Sequence, residues 1–194
     1  MKKYIFLILI LFALTSCNNI IPVADYMPYA DIPDNYSLDD AKNDNCVVYE
    51  NGSITSGQSF WDSFVGQTEK NTPSFVRLAF YYTIGDPDRY DPAYYEEIKD
   101  DYPVLYIQDL KFDGSSYNLS WSEGEEKYSR TYKYLKKFTG EPSSSTAIFF
   151  DYIYYVLLND DTVNTWEQIE RGIFSSSFGD FIDYQKVYSY RNYN

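Results

Sequence analysis

The stretch VLYIQDLKFDGSSYNLSW, residues 104–121, places two runs of alternating character on either side of Asp113-Gly114. Val104, Tyr106, Gln108, Leu110 and Phe112 share one parity before the turn, and Tyr117, Leu119 and Trp121 share one after it. A period of two sends successive side chains to opposite faces of a strand, and Asp-Gly between two such runs signals a hairpin. The chain is therefore expected to be built on an antiparallel sheet.

Upstream, Phe75 to Thr83 reads as a strand with Val76, Leu78, Phe80 and Tyr82 on one face and a more polar face carrying Arg77 and Thr83. A helix is expected from about Ser59, with Phe60, Phe64, Trp61 and Val65 inward. Before it, Cys46 to Tyr49 reads as a short strand, Asn51-Gly52 as a tight turn and Ile54 as the continuation of the hairpin. Ser37-Leu38-Asp39-Asp40 has the form of an N-cap with an acid at the third helical position, so a short helix should run to about Asn43.

Downstream, Ala93 to Lys99 fits a helical turn, and Tyr128 to Phe138 alternates as a single strand with one wet face. Ala147 to Leu158 is nearly all apolar, which suits either a covered central strand or a buried helix. Asn164 can cap a helix with Glu167 at its third position, placing Trp166, Ile169 and Ile173 inward, and Phe181 to Tyr190 suits a last strand.

The amino terminus has a different character. Lys2 and Lys3 precede an apolar run from Tyr4 to Leu14, eleven residues long. That is too short for a bilayer core, which needs about 20 helical residues, and it falls within the range of a secretory signal. Its ending, Leu14-Thr15-Ser16-Cys17, resembles the lipobox of bacterial lipoproteins. The resemblance implies cleavage between Ser16 and Cys17 and a diacylglycerol thioether on Cys17, the expected lipidation site. Residues 18–36 carry Pro22, Pro28 and Pro33 and read as a tether, with apolar residues such as Tyr26 and Tyr29 leaving room for part of it to pack on the domain.

Charge and cysteine content bound the rest. Removing residues 1–17 takes away two lysines and no acid, leaving 14 basic against 29 acidic residues. Such a chain is repelled by nucleic acid and by anionic head groups, while a cationic protein or peptide is favoured as a partner. After lipidation only Cys46 remains, so no intramolecular disulfide is available. The absence of histidine removes most catalytic triads and zinc sites. The 23 tyrosines and 13 phenylalanines read first as half-buried strand residues of an A/T-rich coding sequence, and second as a stacking surface for sugars or peptides.

Tyr36-Ser37-Leu38-Asp39-Asp40-Ala41, Val47-Val48, Asn51-Gly52, Arg77 and Tyr82-Thr83-Ile84-Gly85-Asp86-Pro87 are similar to motifs of a family of small secreted lipoproteins of Gram-positive bacteria, catalogued as a domain of unknown function. The resemblance spans roughly residues 36–158 and implies an opening amphipathic helix, a strand ending in the Gly-Asp-Pro loop, and a hairpin turning at Asp113-Gly114. This chain departs from the pattern in lacking the Glu before Gly85, in inserting Asp88 to Pro103, and in having no cysteine near Leu157-Leu158.

Three site hypotheses follow. Asp86, Asp88, Asp91 and Glu97 are calcium candidates: counting from Asp86, Asp88 is third and Glu97 twelfth, but Tyr90 is fifth and Asp91 stands sixth, where such a loop needs glycine. A solvated acidic loop is the simpler reading, and no metal or cofactor is expected. Glu123, Glu125 and Glu126 after Trp121 suggest a carboxylate glycosidase, or a wet turn after a strand. Tyr81, Tyr90, Tyr94, Tyr95 and Tyr102 are candidates for binding a glycan or a basic peptide, or they cover the inserted loop.

The combined expectation is an α+β domain over residues 37–194, with a mainly antiparallel sheet of five or six strands and two or three helices, preceded by a signal (1–16) and a lipidated tether (17–36). The expected role is a non-enzymatic binding or envelope-shielding lipoprotein, with a histidine-independent glycosidase as the alternative.

Overall fold

A computed structural model describes residues 26–142, 144 and 146–193. The signal segment, Cys17 and the first part of the tether lie outside the described residues. The fold is α+β, with the strands distributed over two sheets. The larger has the order β2-β1-β3-β4-β5-β6 and the smaller β7-β8-β9.

The elements of the larger sheet are β1 (Val47–Glu50), β2 (Ser53–Ser56), β3 (Ser74–Tyr82), β4 (Val104–Phe112), β5 (Tyr117–Glu123) and β6 (Glu126–Tyr132). Its pairs are antiparallel except β1 with β3, whose connection runs through β2 and helix α2 (Gln58–Thr68). The β1–β2 turn uses Asn51 and Gly52 at φ 50° and 85°, the positive values a two-residue hairpin requires. At the β4–β5 turn Asp113 Oδ1 accepts from Ser115 N (2.7 Å) and Ser116 N (2.8 Å). Those donors hold its carboxyl well below the usual carboxylate range.

Helix α1 (Leu38–Asn43) starts with the expected capping box: Ser37 Oγ accepts from Asp40 N (3.2 Å), and Asp40 Oδ2 from Ser37 N (2.9 Å). Helix α3 is Pro92–Ile98 and α4 is Trp166–Phe174. The α4 cap lies one residue beyond the expected one. Thr165 is the N-cap, and Gln168 Oε1 accepts from Asn164 N (2.7 Å) and Thr165 N (2.9 Å), so Glu167 does not close the box. Trp166 and Ile169 are buried as expected, whereas Ile173, in the last turn of the helix, is exposed.

Tyr128 to Phe138 is two strands, not one. β6 ends at Tyr132 and β7 (Tyr134–Gly140) joins the smaller sheet with β8 (Phe149–Leu158) and β9 (Tyr184–Tyr193). Lys133 is the switch, its N–H shared between Leu158 O (3.2 Å) and Asn159 Oδ1 (3.1 Å). Of the run Ala147 to Leu158, left open between strand and helix, Phe149–Leu158 form the central strand β8.

Four layers result. One face of the larger sheet packs against α2 and one face of the smaller sheet, joining Val47, Leu78, Leu110, Trp61, Leu157 and Tyr188 in a common core. The far face of the smaller sheet is covered by α4 through Trp166 and Ile169. The outer face of the larger sheet is covered by α1 and residues 26–36, with Tyr26, Tyr29, Ile32 and Tyr36 against Val48, Ala79 and Ile107. Arg77, on the face expected to be the more polar one, is fully buried by that cover.

Candidate functional site

The two sheets do not overlap along their full length. Toward the β3 start, the inner face of the larger sheet is core: Val76, Leu110, Phe112, Tyr117 and Leu119 are buried. Toward the β3 end the cover stops, and the same parity becomes an open row. Phe80 pairs with Tyr106, Gln108 with Trp121, and Trp121 with Tyr128. The row thus crosses β3, β4, β5 and β6. Tyr82 and Tyr106 lie 6.2 Å apart, Trp121 and Tyr128 stack at 5.6 Å, and Tyr106 is 54% exposed.

A cleft of about 490 Å³ adjoins this row, between Tyr49, Phe80, Tyr82, Tyr106 and Gln108 on the larger sheet and Gln185 to Ser189 with Arg191 on β9. Its shape follows from topology. β9 has a strand neighbour on one side only, so its other edge turns backbone groups toward the cleft. Tyr49 accepts one of these, the Ser189 N–H, on its hydroxyl (3.3 Å). The floor is stiffened by aromatic packing: Tyr49 stacks on Phe80 at 4.9 Å, and Tyr188 stacks on Trp61 at 4.7 Å. Tyr188 also donates to Gln58 Oε1 (2.9 Å), fixing the hydroxyl.

No described residue lining the cleft carries a carboxylate, although the whole chain has a formal charge of −13. Lys186 and Arg191 border it along β9, but they share the face of Val156 and Tyr152 and their charged groups lie over Tyr154 on the α4 side. Chemically, the cleft offers ring faces and amides from Gln108 and Gln185. This fits recognition of a polyhydroxylated ligand, whose apolar C–H faces lie on rings while hydroxyls meet amides.

The residues singled out by sequence lie elsewhere. Asp86 and Asp91 cap helical turns, accepting from Asp88 N (3.1 Å) and from Ala93 N (3.0 Å) and Tyr94 N (3.2 Å). Asp88 and Glu97 are exposed, and among the described residues no three His, Cys, Asp or Glu side chains gather as a metal site. Tyr90, Tyr94 and Tyr95 do cluster, with Tyr90 5.9 Å from Tyr95, 6.4 Å from Tyr94 and folded over Gly85. Tyr81, on the β3 face opposite to the row, and Tyr102 make no aromatic pair among those found, and none of the five tyrosines lines the cleft.

Glu123 and Glu126 are register partners at the exposed β5–β6 tip. Each is engaged by a ring of the row: Trp121 Nε1 donates to Glu123 Oε1 (3.0 Å) and Tyr128 Oη to Glu126 Oε2. The carboxylates thus orient the aromatic row from outside the cleft. Cys46 is buried beneath α1, its thiol pushed up to about 11 by burial. The residues that sequence reasoning missed are Tyr82, Tyr106, Gln108, Trp121 and Tyr128. Their shared parity is legible in the sequence, but parity marks a face and does not say whether that face is covered.

Among the described residues no helix is long and apolar enough to cross a membrane. Residues 1–18 match the family model of the prokaryotic membrane lipoprotein lipid attachment site. No curated protein and no solved structure matches the chain. The protein is a membrane-anchored, extracytoplasmic lipoprotein.

Proposed function

We propose that this lipoprotein, anchored through a lipid on Cys17, is a non-enzymatic saccharide-binding module that presents the cleft and its aromatic row away from the membrane. The observation that carries the reading is the row Tyr82–Tyr106–Gln108–Trp121–Tyr128, which leaves the core face of a four-strand stretch open beside a cleft with amide-bearing walls. Exposed rings aligned across strands are costly to leave wet unless a ligand covers them.

The anchor geometry supports display. Tyr26 packs on Phe75 at the β3 start (5.1 Å), whereas Tyr82 is at the β3 end, about 23 Å away at the strand rise. From Cys17 to Tyr26 the chain reaches at most about 30 Å. The shorter path from the lipid leads to the β3-start end, which favours an arrangement with the cleft end outward.

A glycosidase is the second reading, favoured by the facing Glu123 and Glu126. Acid–base hydrolysis needs two carboxylates flanking the bond, and the cleft lining supplies none, so binding is preferred. The full-length lipoprotein in detergent micelles, applied to an oligosaccharide array, should bind at least one class of glycan, and Tyr106→Ala with Trp121→Ala should abolish the signal. Binding that survives the double substitution would overturn the assignment to this site.

A further inference from the structure

The aromatic row continues past the cleft, and it does so on a single face. The β3–β4, β4–β5 and β5–β6 registers run without a shift, so Tyr82, Tyr106, Gln108, Trp121 and Tyr128 share the parity of the core residues Leu78, Leu110, Leu119 and Tyr132. Tyr82 is opposite Val104 and Trp121 is opposite Gln108, so from Tyr82 to Tyr128 the row crosses three strand spacings and advances the four residues from 104 to 108. At the usual strand spacing and rise its length is about 20 Å. The rings form two groups. Tyr82 and Tyr106 border the cleft, whereas Trp121 and Tyr128 stack outside its lining, toward the edge strand β6. Gln108 places an amide between the groups. The outer pair is held by acids, since Trp121 Nε1 donates to Glu123 Oε1 (3.0 Å) and Tyr128 Oη to Glu126 Oε2. These contacts fix the ring edges and put negative charge at that end of the row.

We infer that the site takes a single neutral glycan chain of several sugars, with one unit over Tyr82 and Tyr106, another over Trp121 and Tyr128, and hydroxyls meeting Gln108 between them. This rests on the saccharide reading and narrows it. The row outruns one or two pyranose rings, so a short ligand would leave one ring pair wet. An acidic chain would meet Glu123 and Glu126 at the outer pair and a protein whose formal charge is −13. Adjacent strands rotate by about 20–25°, which turns the ring faces by about 60–75° over three steps. A free chain can turn with them, whereas a flat crystalline polysaccharide surface would meet one pair only.

The test uses the full-length lipoprotein in detergent micelles with soluble oligosaccharides of glucose, N-acetylglucosamine, mannose and xylose, each as disaccharide, tetrasaccharide and hexasaccharide, beside oligosaccharides of glucuronic and galacturonic acid. In at least one neutral series affinity should rise roughly tenfold from disaccharide to tetrasaccharide, the scale of one further aromatic contact. Tyr128→Ala, on the exposed edge strand, should reduce that gain without lowering the melting temperature. Trp121→Ala with Tyr128→Ala should remove the gain and leave disaccharide binding in place, whereas Tyr106→Ala should weaken every length alike. Affinity independent of length, a gain unchanged in Tyr128→Ala, or tighter binding of the uronic acid chains overturns the neutral-chain inference and leaves the saccharide reading standing. If no member of the panel binds, both fall.

Discussion

Arg77 and Asp109 face each other across β3 and β4 and close a two-point ion pair, Nε to Oδ1 at 2.7 Å and Nη2 to Oδ2 at 2.9 Å. Both are buried, and the lid over them is the chain just before α1: Met27 O accepts from Nη2 (2.9 Å), and the Tyr26 and Tyr29 rings lie 5.3 and 5.9 Å from the guanidinium. Nη1 has no partner, so the pair is not fully compensated. Removing one member strands the other charge in the core. Arg77→Met or Asp109→Leu alone should cost about 3–5 kcal/mol in urea unfolding, and the double change should recover most of it. A loss under about 1 kcal/mol for either single change would contradict the burial argument.

The same geometry makes residues 26–36 part of the folded unit. Tyr29 Oη donates to Ile107 O (3.1 Å) and accepts from Ser122 N (3.0 Å), tying the segment to β4 and β5. Tyr29→Phe should cost about 1–3 kcal/mol, the range for leaving buried polar groups unpaired. A chain beginning at Ser37 uncovers the ion pair as well, and its melting temperature should drop by roughly 10 °C, using about 2–4 °C per kcal/mol for this size. Unchanged melting would show that the segment is a tether along its whole length.

Local rules were readable where the partner is local. The Ser37–Asp40 box, the Asn51-Gly52 turn and the Asp113 turn each involve residues within a few positions, and each occurs where the sequence places it. What alternation cannot encode is which surface lies opposite. Tyr128 to Phe138 keeps its period through Lys133, yet the strands on either side belong to different sheets. Arg77 has polar parity but is buried by a segment some 50 residues earlier. The cleft failed to appear for the same reason: Leu110 and Tyr106 share a face, and only the placement of the smaller sheet decides that one is core and the other open.

Cys46 supplies a test of burial by pH. Its thiol sits beneath α1 with Tyr36 Oη 3.7 Å from Sγ, and desolvation raises it from 9.0 to about 11. The native protein therefore binds the proton more tightly than the unfolded chain between those values, so stability should fall as pH rises through that window and be fully present below it. At pH 8 the native thiol should resist iodoacetamide, with rapid alkylation after urea unfolding. Equal rates in both states would place Cys46 at the surface.

Gly57 connects the backbone to the cleft. It enters α2 at φ 80°, and a Cβ built there would stand 2.1 Å from Cys46 O and 2.8 Å from Val47 Cα. Backbone atoms cannot rotate aside, so Gly57→Ala must move α2 off β1. That shift would carry Trp61 away from Tyr188, whose ring lines the cleft. Gly124 is the control: its φ is 60°, no atom lies within 4 Å of the added Cβ, and it does not line the cleft. Gly124→Ala should cost only the left-handed penalty of about 1–2 kcal/mol, and saccharide binding should persist. Gly57→Ala should exceed that cost and, in whatever fraction folds at low temperature, weaken binding as well. Equal losses for the two alanines would mean that α2 does not set the position of the cleft wall.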